Sequence, residues 1–197
     1  MPQRVGVVLA GGRGERIGQP KGDLPFGGKT LAERAAGILW PICGSVLISI
    51  GEGSANPAPR YPALVDPPPA GRGPLAGIDG AFEATGDADL VVLACDYPYV
   101  TESIMRRLVS HAAPADDLVM MTDFAGRDHP LVALWSRLAA PTVRTAIEEK
   151  RFKVRGLLAD LNVRRVGPAE FHGIDLDRAL FNVNWPEELE TLKSRGR

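Results

Sequence analysis

A run of glycines and basic residues sits near the start of this chain: Leu9-Ala10-Gly11-Gly12-Arg13-Gly14-Glu15-Arg16-Ile17-Gly18, followed closely by Lys21. It comes directly after Val5-Gly6-Val7-Val8-Leu9, a short apolar run that reads as a buried parallel strand. A strand that ends this way is suited to holding phosphates. Glycine lets backbone N–H groups approach an anion closely, and Arg and Lys supply the opposite charge. The loop matches neither of the two commonest phosphate-binding patterns. Ile17 stands where the dinucleotide pattern needs its third glycine, and Gly28-Lys29-Thr30 ends like a P-loop whose first glycine would fall at Asp23. For Arg13 and Arg16 the alternative to a phosphate contact is a solvated loop face.

Two further strand ends carry carboxylates. Asp96 follows Leu90-Val91-Val92-Leu93-Ala94, and Asp66 follows Ala63-Leu64-Val65. An acid inside a sheet is costly, but at the sheet's rim it can hold Mg²⁺. Turn formation before Pro98 and Pro67 is the competing reading for each.

The elements that must carry these groups alternate along the chain. Helices are expected over residues 31–40 (opened by Thr30 and stopped by Pro41), 75–84 and 101–111, across much of 141–161, and over 187–193 after Pro186. Strands are expected over 46–50, 63–65, 90–94, 118–121 and 131–135. Residues 53–74 are dense in Pro, Gly and Ala and read as a constrained loop around one brief strand. This alternation predicts an α/β domain, three layers deep, around a mostly parallel sheet. In such sheets ligands bind outside the carboxyl ends of the strands, where the glycine loop, Asp66 and Asp96 all fall.

Composition narrows the classes. At 197 residues and 45% hydrophobic, the chain can bury one substantial core, and a single domain over 1–197 is expected. Lys and Arg total 23 against 24 Asp and Glu, so the concentrated positive charge of a nucleic-acid binder is absent. No apolar stretch has the length of a membrane span, and no signal peptide precedes the first strand, so a cytoplasmic protein without nucleic-acid or membrane partners is expected. Cys43 and Cys95 form no CxxC and read as reduced and buried, and with no Cys/His cluster zinc is not expected.

Taken together the motifs resemble the nucleotidyltransferases of the Rossmann-like, nucleotide-diphospho-sugar transferase (glycosyltransferase-A-like) fold, and within them the MobA family of molybdenum cofactor guanylyltransferases. Leu9-Ala10-Gly11-Gly12 with Arg16, Gly18 and Lys21 is similar to that group's signature. Gly73-Pro74-Leu75-Ala76-Gly77-Ile78 resembles its GPLAG segment, and Cys95-Asp96-Tyr97-Pro98 its CDxP metal site. Arg127-Asp128-His129-Pro130 resembles a motif that some members carry before an apolar strand. Phe181-Asn182-Val183-Asn184-Trp185-Pro186-Glu187-Glu188-Leu189 resembles the closing FNVNTPEEL. The motifs stand in family order from residue 9 to 189. Gly51 departs, standing where members often carry a nucleotide-contacting Asn.

The resemblance implies transfer of GMP from GTP to molybdopterin. GTP would be bound by Leu9, Ala10, Gly11, Gly12, Arg13, Lys21, Gly51, Asp66, Gly77 and Asp96. Lys21, Asp96 and Arg16 would be catalytic. Mg²⁺, with Mn²⁺ as the alternative, would be held by Asp96 and Asn184. Molybdopterin would lie along the second half of the chain, at Arg127, His129, Arg151, Asn182 and Asn184, with Lys153 and Arg155 as further candidates. For these charged residues a surface salt bridge is the competing reading, and for Asn182 and Asn184 a turn or a helix cap. Apo-molybdoenzymes and cofactor-insertion factors are implied partners at the level of the family only. A molybdopterin cytidylyltransferase is the nearest alternative, although those relatives tend to read LAAG at the glycine loop. Sugar-phosphate nucleotidyltransferases are usually longer. A catalytically silent nucleotide-binding assembly protein is the alternative of another class.

Overall fold

The computed structural model describes residues 3–11, 18–66, 72–86, 88–183 and 188. The chain runs β1 (Arg4–Leu9), β2 (Pro25–Phe26), β3 (Lys29–Thr30), α1 (Leu31–Cys43), β4 (Val46–Ile50), β5 (Ala63–Val65), α2 (Pro74–Thr85), β6 (Asp89–Ala94), α3 (Glu102–Ser110), β7 (Leu118–Thr122), β8 (Asp128–Trp135), α4 (Ala140–Glu148), β9 (Val163–Val166) and α5 (Leu176–Ala179). Seven strands form one sheet in the order β5-β4-β1-β6-β8-β7-β9. Only β8 runs against the rest, pairing antiparallel with both β6 and β7. The expected mostly parallel α/β architecture is therefore present.

Helices cover both faces of the sheet. A Cβ placed on Gly6 would lie 2.9 Å from Leu39 Cβ of α1, whereas Leu9, on the opposite side of the pleat, lies beneath Gly77 of α2. Helix α3 packs beside α1, and α4 beside α2. The central strands β1 and β6 are buried on both faces: Val7, Val8 and Leu90 to Leu93 are fully enclosed. That is why they read as continuous apolar runs.

Several boundaries differ from the sequence expectation. Helix α1 does not stop at Pro41 but passes through it to Cys43. Proline removes one backbone donor, and the carbonyl it would have served, that of Gly37, lies on the exposed side of the helix where water can take its place. The helix ends instead at Gly44, whose left-handed φ of 71° lets its N–H reach Trp40 O at 2.9 Å. Its start is a capping box, in which Thr30 Oγ1 accepts from Glu33 N–H and Thr30 N–H donates to the Glu33 carboxylate. Gly27 and Gly28, at φ 60° and 78°, make the two-residue turn of the β2–β3 hairpin, so Gly28-Lys29-Thr30 is not a phosphate loop.

Strand β8 begins at Asp128, not at Leu131, and takes in Pro130 where the pairing with β7 shifts register between Met120 and Met121. Proline is tolerated in a sheet at such an irregularity. Within 141–161 the α-helix ends at Glu148, leaving a short 3₁₀ turn at Val154–Leu157. Both cysteines are free, but only Cys95 is buried. Cys43 is half-buried, and burial pushes its thiol up to about 12. The helix expected over 187–193 lies outside the described residues except at Glu188. No helix among the described residues is long and apolar enough to cross a membrane.

Candidate active site

The connection from β1 leads outward through β4 to β5, and the chain then returns through α2 to β6 on the other side of β1. The strand order reverses between β1 and β6, and the crevice above that switch point is the usual ligand position in open α/β sheets. Register fixes what reaches it. Leu9 lies opposite Ala94 and Ser49, Cys95 N–H donates to Leu9 O at 3.2 Å, and Ala10 N–H donates to Ser49 O at 2.9 Å. Leu9, Ala10, Gly11, Gly51, Asp66 and Asp96 thus share one rim.

Asp96 is the centre of this rim. Its Oδ2 accepts from Lys21 Nζ at 3.1 Å, and the two side chains are 18% and 20% exposed. The other oxygen, Oδ1, is buried and accepts no hydrogen bond among the described residues. Burial pushes the carboxyl above its ordinary value, with the Lys21 charge and hydrogen bond opposing the rise. Lys21 is delivered by a short 3₁₀ turn, Lys21–Asp23, after Pro20. Gly22 seats that turn: a Cβ there would lie 2.9 Å from Pro57 Cγ and 3.2 Å from Ala10 Cβ. The packing of Gly22 on Ala10 therefore ties the lysine to the end of β1.

A buried carboxylate oxygen with no donor suits a hard divalent cation. Among the described residues no three His, Cys, Asp or Glu side chains cluster around one point. The donor set thus resembles that of Mg²⁺ or Mn²⁺ bound through one or two carboxylates, with phosphates and water supplying the rest.

Asp66 is held differently. Its Oδ1 accepts from Ser49 Oγ at 2.7 Å and its N–H donates to Ile50 O at 2.8 Å. Burial raises its pKa, opposed by the Ser49 hydroxyl and the nearby Arg72 charge. The ends of β1, β4 and β5 meet so closely that a Cβ on Gly11 would lie 3.0 Å from Asp66 Oδ2 and 3.3 Å from Gly51 N. Gly77 is buried under the same group, and a Cβ there would collide with Ser49 Oγ. Ser49 was not among the sequence candidates. A polar residue inside the apolar run Val46 to Ile50 needs a buried partner, and that signal could have singled it out.

The second half of the chain reaches the same rim because β8 is reversed. Its first residues, Asp128 and His129, stand beside Thr122 at the end of β7. His129 is buried, with Nδ1 3.2 Å from Tyr97 Oη and Nε2 3.2 Å from Asp123 Oδ2. Arg127 is exposed, its backbone N–H bonded to Asp123 Oδ1 at 2.8 Å. Asn182 precedes Val183, whose N–H donates to the main-chain carbonyl of Asp96 at 2.9 Å, so this segment is tied to the backbone at Asp96. Arg151 is not brought to the rim contacts: its guanidinium bonds to Glu149 and Asp160, each at 2.7 Å. Lys153 and Arg155 are exposed, and Arg155 donates to Asp128 O at 3.2 Å. Gly12, Arg13, Arg16 and Asn184 lie outside the described residues.

The sequence profile described as the MobA-like NTP transferase domain matches residues 6–166. The molybdenum cofactor guanylyltransferase of Sinorhizobium fredii is 31% identical over 197 residues, covering 93% of this chain and 88% of that protein. Among solved structures, the molybdopterin-guanine dinucleotide biosynthesis protein A of Archaeoglobus fulgidus superposes with a TM-score of 0.73 at 23% identity, covering 97% of each chain. A manganese complex of a Mycobacterium tuberculosis protein superposes at 0.57 with 21% identity, covering 85% of this chain and 88% of that one. The switch-point rim, the motif order and the profile match agree: this chain belongs to the MobA-like NTP transferase family.

Proposed function

We propose that this chain transfers GMP from GTP to the terminal phosphate of molybdenum-bearing molybdopterin, forming molybdopterin guanine dinucleotide and pyrophosphate. The observation that carries the reading is the Lys21–Asp96 pair at the switch point, with Asp96 Oδ1 buried and without a hydrogen-bond donor among the described residues. An acceptor phosphate oxygen forms a bond to the α-phosphorus as the bridging P–O bond to the β-phosphate breaks, and the bonding electrons leave with pyrophosphate. No covalent protein nucleophile is required, so the protein's work is positioning and charge neutralisation.

Each group has a task in this scheme. Lys21 neutralises charge on the transferring and leaving phosphates. Asp96 holds Mg²⁺ or Mn²⁺, and a bound divalent cation supplies further neutralisation of phosphate oxygens. Gly11, Gly51 and Asp66 border the nucleotide on the β1–β4–β5 side, with Ser49 fixing the Asp66 carboxylate. We assign GTP to the N-terminal part of one nucleotidyltransferase domain and molybdopterin to its C-terminal part, near Arg127 and Asn182. The two free cysteines accord with a reducing, cytoplasmic setting.

The test is product analysis after incubation with molybdopterin, Mg²⁺ or Mn²⁺, and GTP or CTP. Guanine dinucleotide and pyrophosphate are expected. A cytosine dinucleotide would move the chain to the cytidylyl branch, and binding of GTP without any product would make it a silent nucleotide-binding protein.

A further inference from the structure

We infer that His129 is a positioning residue for the transfer, bonding the Asp96 turn to the acceptor-side loop so that the two halves of the site move as one. The inference rests on the reading of the chain as a nucleotidyltransferase with its acceptor beyond β6. Tyr97 directly follows Asp96, and its phenol reaches His129 Nδ1 at 3.2 Å. The opposite nitrogen, Nε2, reaches Asp123 Oδ2 at 3.2 Å. The remaining Asp123 oxygen accepts from the N–H groups of Ala125 and Arg127 at 3.0 and 2.8 Å. A continuous chain of hydrogen bonds thus runs from the residue after Asp96 to the backbone of the loop presenting Arg127.

The protonation pattern follows from the partners. Burial alone would raise the Asp123 pKa, but the Arg127 N–H and His129 bonds outweigh it and hold the carboxyl below its ordinary range. An ionised Asp123 only accepts, so His129 Nε2 carries the hydrogen and Nδ1 accepts from the Tyr97 hydroxyl. Burial holds the His129 pKa down against the pull of Asp123, in keeping with a neutral ring. Each group in the chain then has one donor or acceptor role that its neighbour complements.

The surroundings hold this arrangement in place. The start of β8 is clamped by Arg165, which forks onto the Asp128 carboxylate, and by Arg155 on the Asp128 carbonyl. The Tyr97 and His129 rings also meet edge to face, with centroids 5.8 Å apart. His129 is 6% exposed. A ring so enclosed is better placed to orient neighbours than to touch a pterin or phosphate. The sequence-based expectation of a direct molybdopterin contact at His129 is replaced here by an indirect one.

The experiment is steady-state transfer with GTP and acceptor varied separately, on His129→Phe, His129→Gln and Tyr97→Phe. Phe keeps the bulk and loses both bonds, whereas Gln can donate to Asp123 and accept from Tyr97. For His129→Phe we expect kcat/KM for the acceptor to fall about tenfold or more while the GTP KM stays within about twofold, because misplacement raises the barrier for the acceptor alone. His129→Gln should recover part of the loss, and Tyr97→Phe should lose in the same direction. Normal acceptor kinetics in His129→Phe would overturn the inference. So would parallel loss of GTP binding, acceptor kinetics and melting temperature with no recovery in His129→Gln, since that is the pattern of a core residue only. If the wild-type chain makes no dinucleotide, the functional reading fails instead. Amide exchange at Ala125 and Arg127 then tests the bonded chain directly: it should quicken in His129→Phe, and unchanged exchange would overturn the inference.

Discussion

Replacing Lys21 by Met keeps the length of the side chain and removes its charge, leaving Asp96 without its cation. At the 3.1 Å separation of Nζ and Oδ2, Coulomb's law gives about 1.3 kcal/mol in bulk water and about 5 kcal/mol at an effective dielectric constant of about 20. Both side chains are four-fifths buried, so the pair sits between these limits, and a coupling of about 2 kcal/mol is expected from a double-mutant cycle with Asp96→Asn. The pH dependence has a definite sign. Asp96 has a pKa raised by burial, so the folded protein favours its neutral form; that contribution to stability is full below the unfolded value and is lost as pH rises through the folded value. Removing Lys21 raises the folded value further. The deficit of Lys21→Met against wild type should therefore be largest above the folded value and shrink as pH falls through it. Urea denaturation of the four proteins on both sides of that value measures it. Turnover of Lys21→Met should also fall roughly a hundredfold, about 3 kcal/mol in the barrier. A coupling under about 0.5 kcal/mol at every pH, or a deficit that grows on acidification, would refute the reasoning.

Gly77→Ala should force α2 away from the sheet, because the added methyl meets Ser49 Oγ and lies 3.0 Å from Leu9 Cδ2. A loss of about 1–3 kcal/mol in thermal or urea melting is expected, together with weaker GTP binding by calorimetry as Asp66 loses its anchor. Thr30→Ala removes the capping box and the hydroxyl's bond to Pro57 O at 2.8 Å. It should lower stability by about 1 kcal/mol, with turnover per folded molecule unchanged in the transfer assay. At Asp116, burial alone would raise the pKa, but bonds from Arg164 and the Ala113 N–H hold the carboxyl below its ordinary range. A carboxyl depressed on folding stabilises the protein above its unfolded value and ceases to do so as pH falls through the folded one. The gap in urea midpoint between wild type and Asp116→Ala should therefore be steady near neutrality and close in acid.

Much of this architecture is legible because buried parallel strands need long apolar runs, and β1 and β6 have them. Two of the motif-bearing strand ends, Leu9–Gly11 and Ala94–Asp96, could accordingly be placed on one rim from sequence alone. Strand direction could not. Nothing in Leu131 to Trp135 reveals that β8 is reversed, yet the reversal brings a motif at the start of its strand to the same rim as motifs at the ends of theirs. Strand β9 escaped notice because Arg164 and Arg165 break its apolar pattern; as an edge strand it can leave them exposed, bonded to Asp116 and Asp128. The partners of the candidate residues were hidden for a related reason. Lys21 and Asp96 stand 75 residues apart, Ser49 to Asp66 joins two strand ends, and His129 to Tyr97 crosses between segments. Side-chain pairs of that kind carry no local periodicity.

The bond from Val183 N–H to Asp96 O has a consequence for the timing of assembly. All seven strands of the sheet are in hand once Val166 has been made, and a nascent domain begins to fold as its elements become available. The segment bonded to Asp96 follows α5, which ends at Ala179. Joining segments so far apart in sequence is slow relative to local folding. A growing chain therefore has every strand of its sheet available before the segment that bonds to the Asp96 main chain has been made.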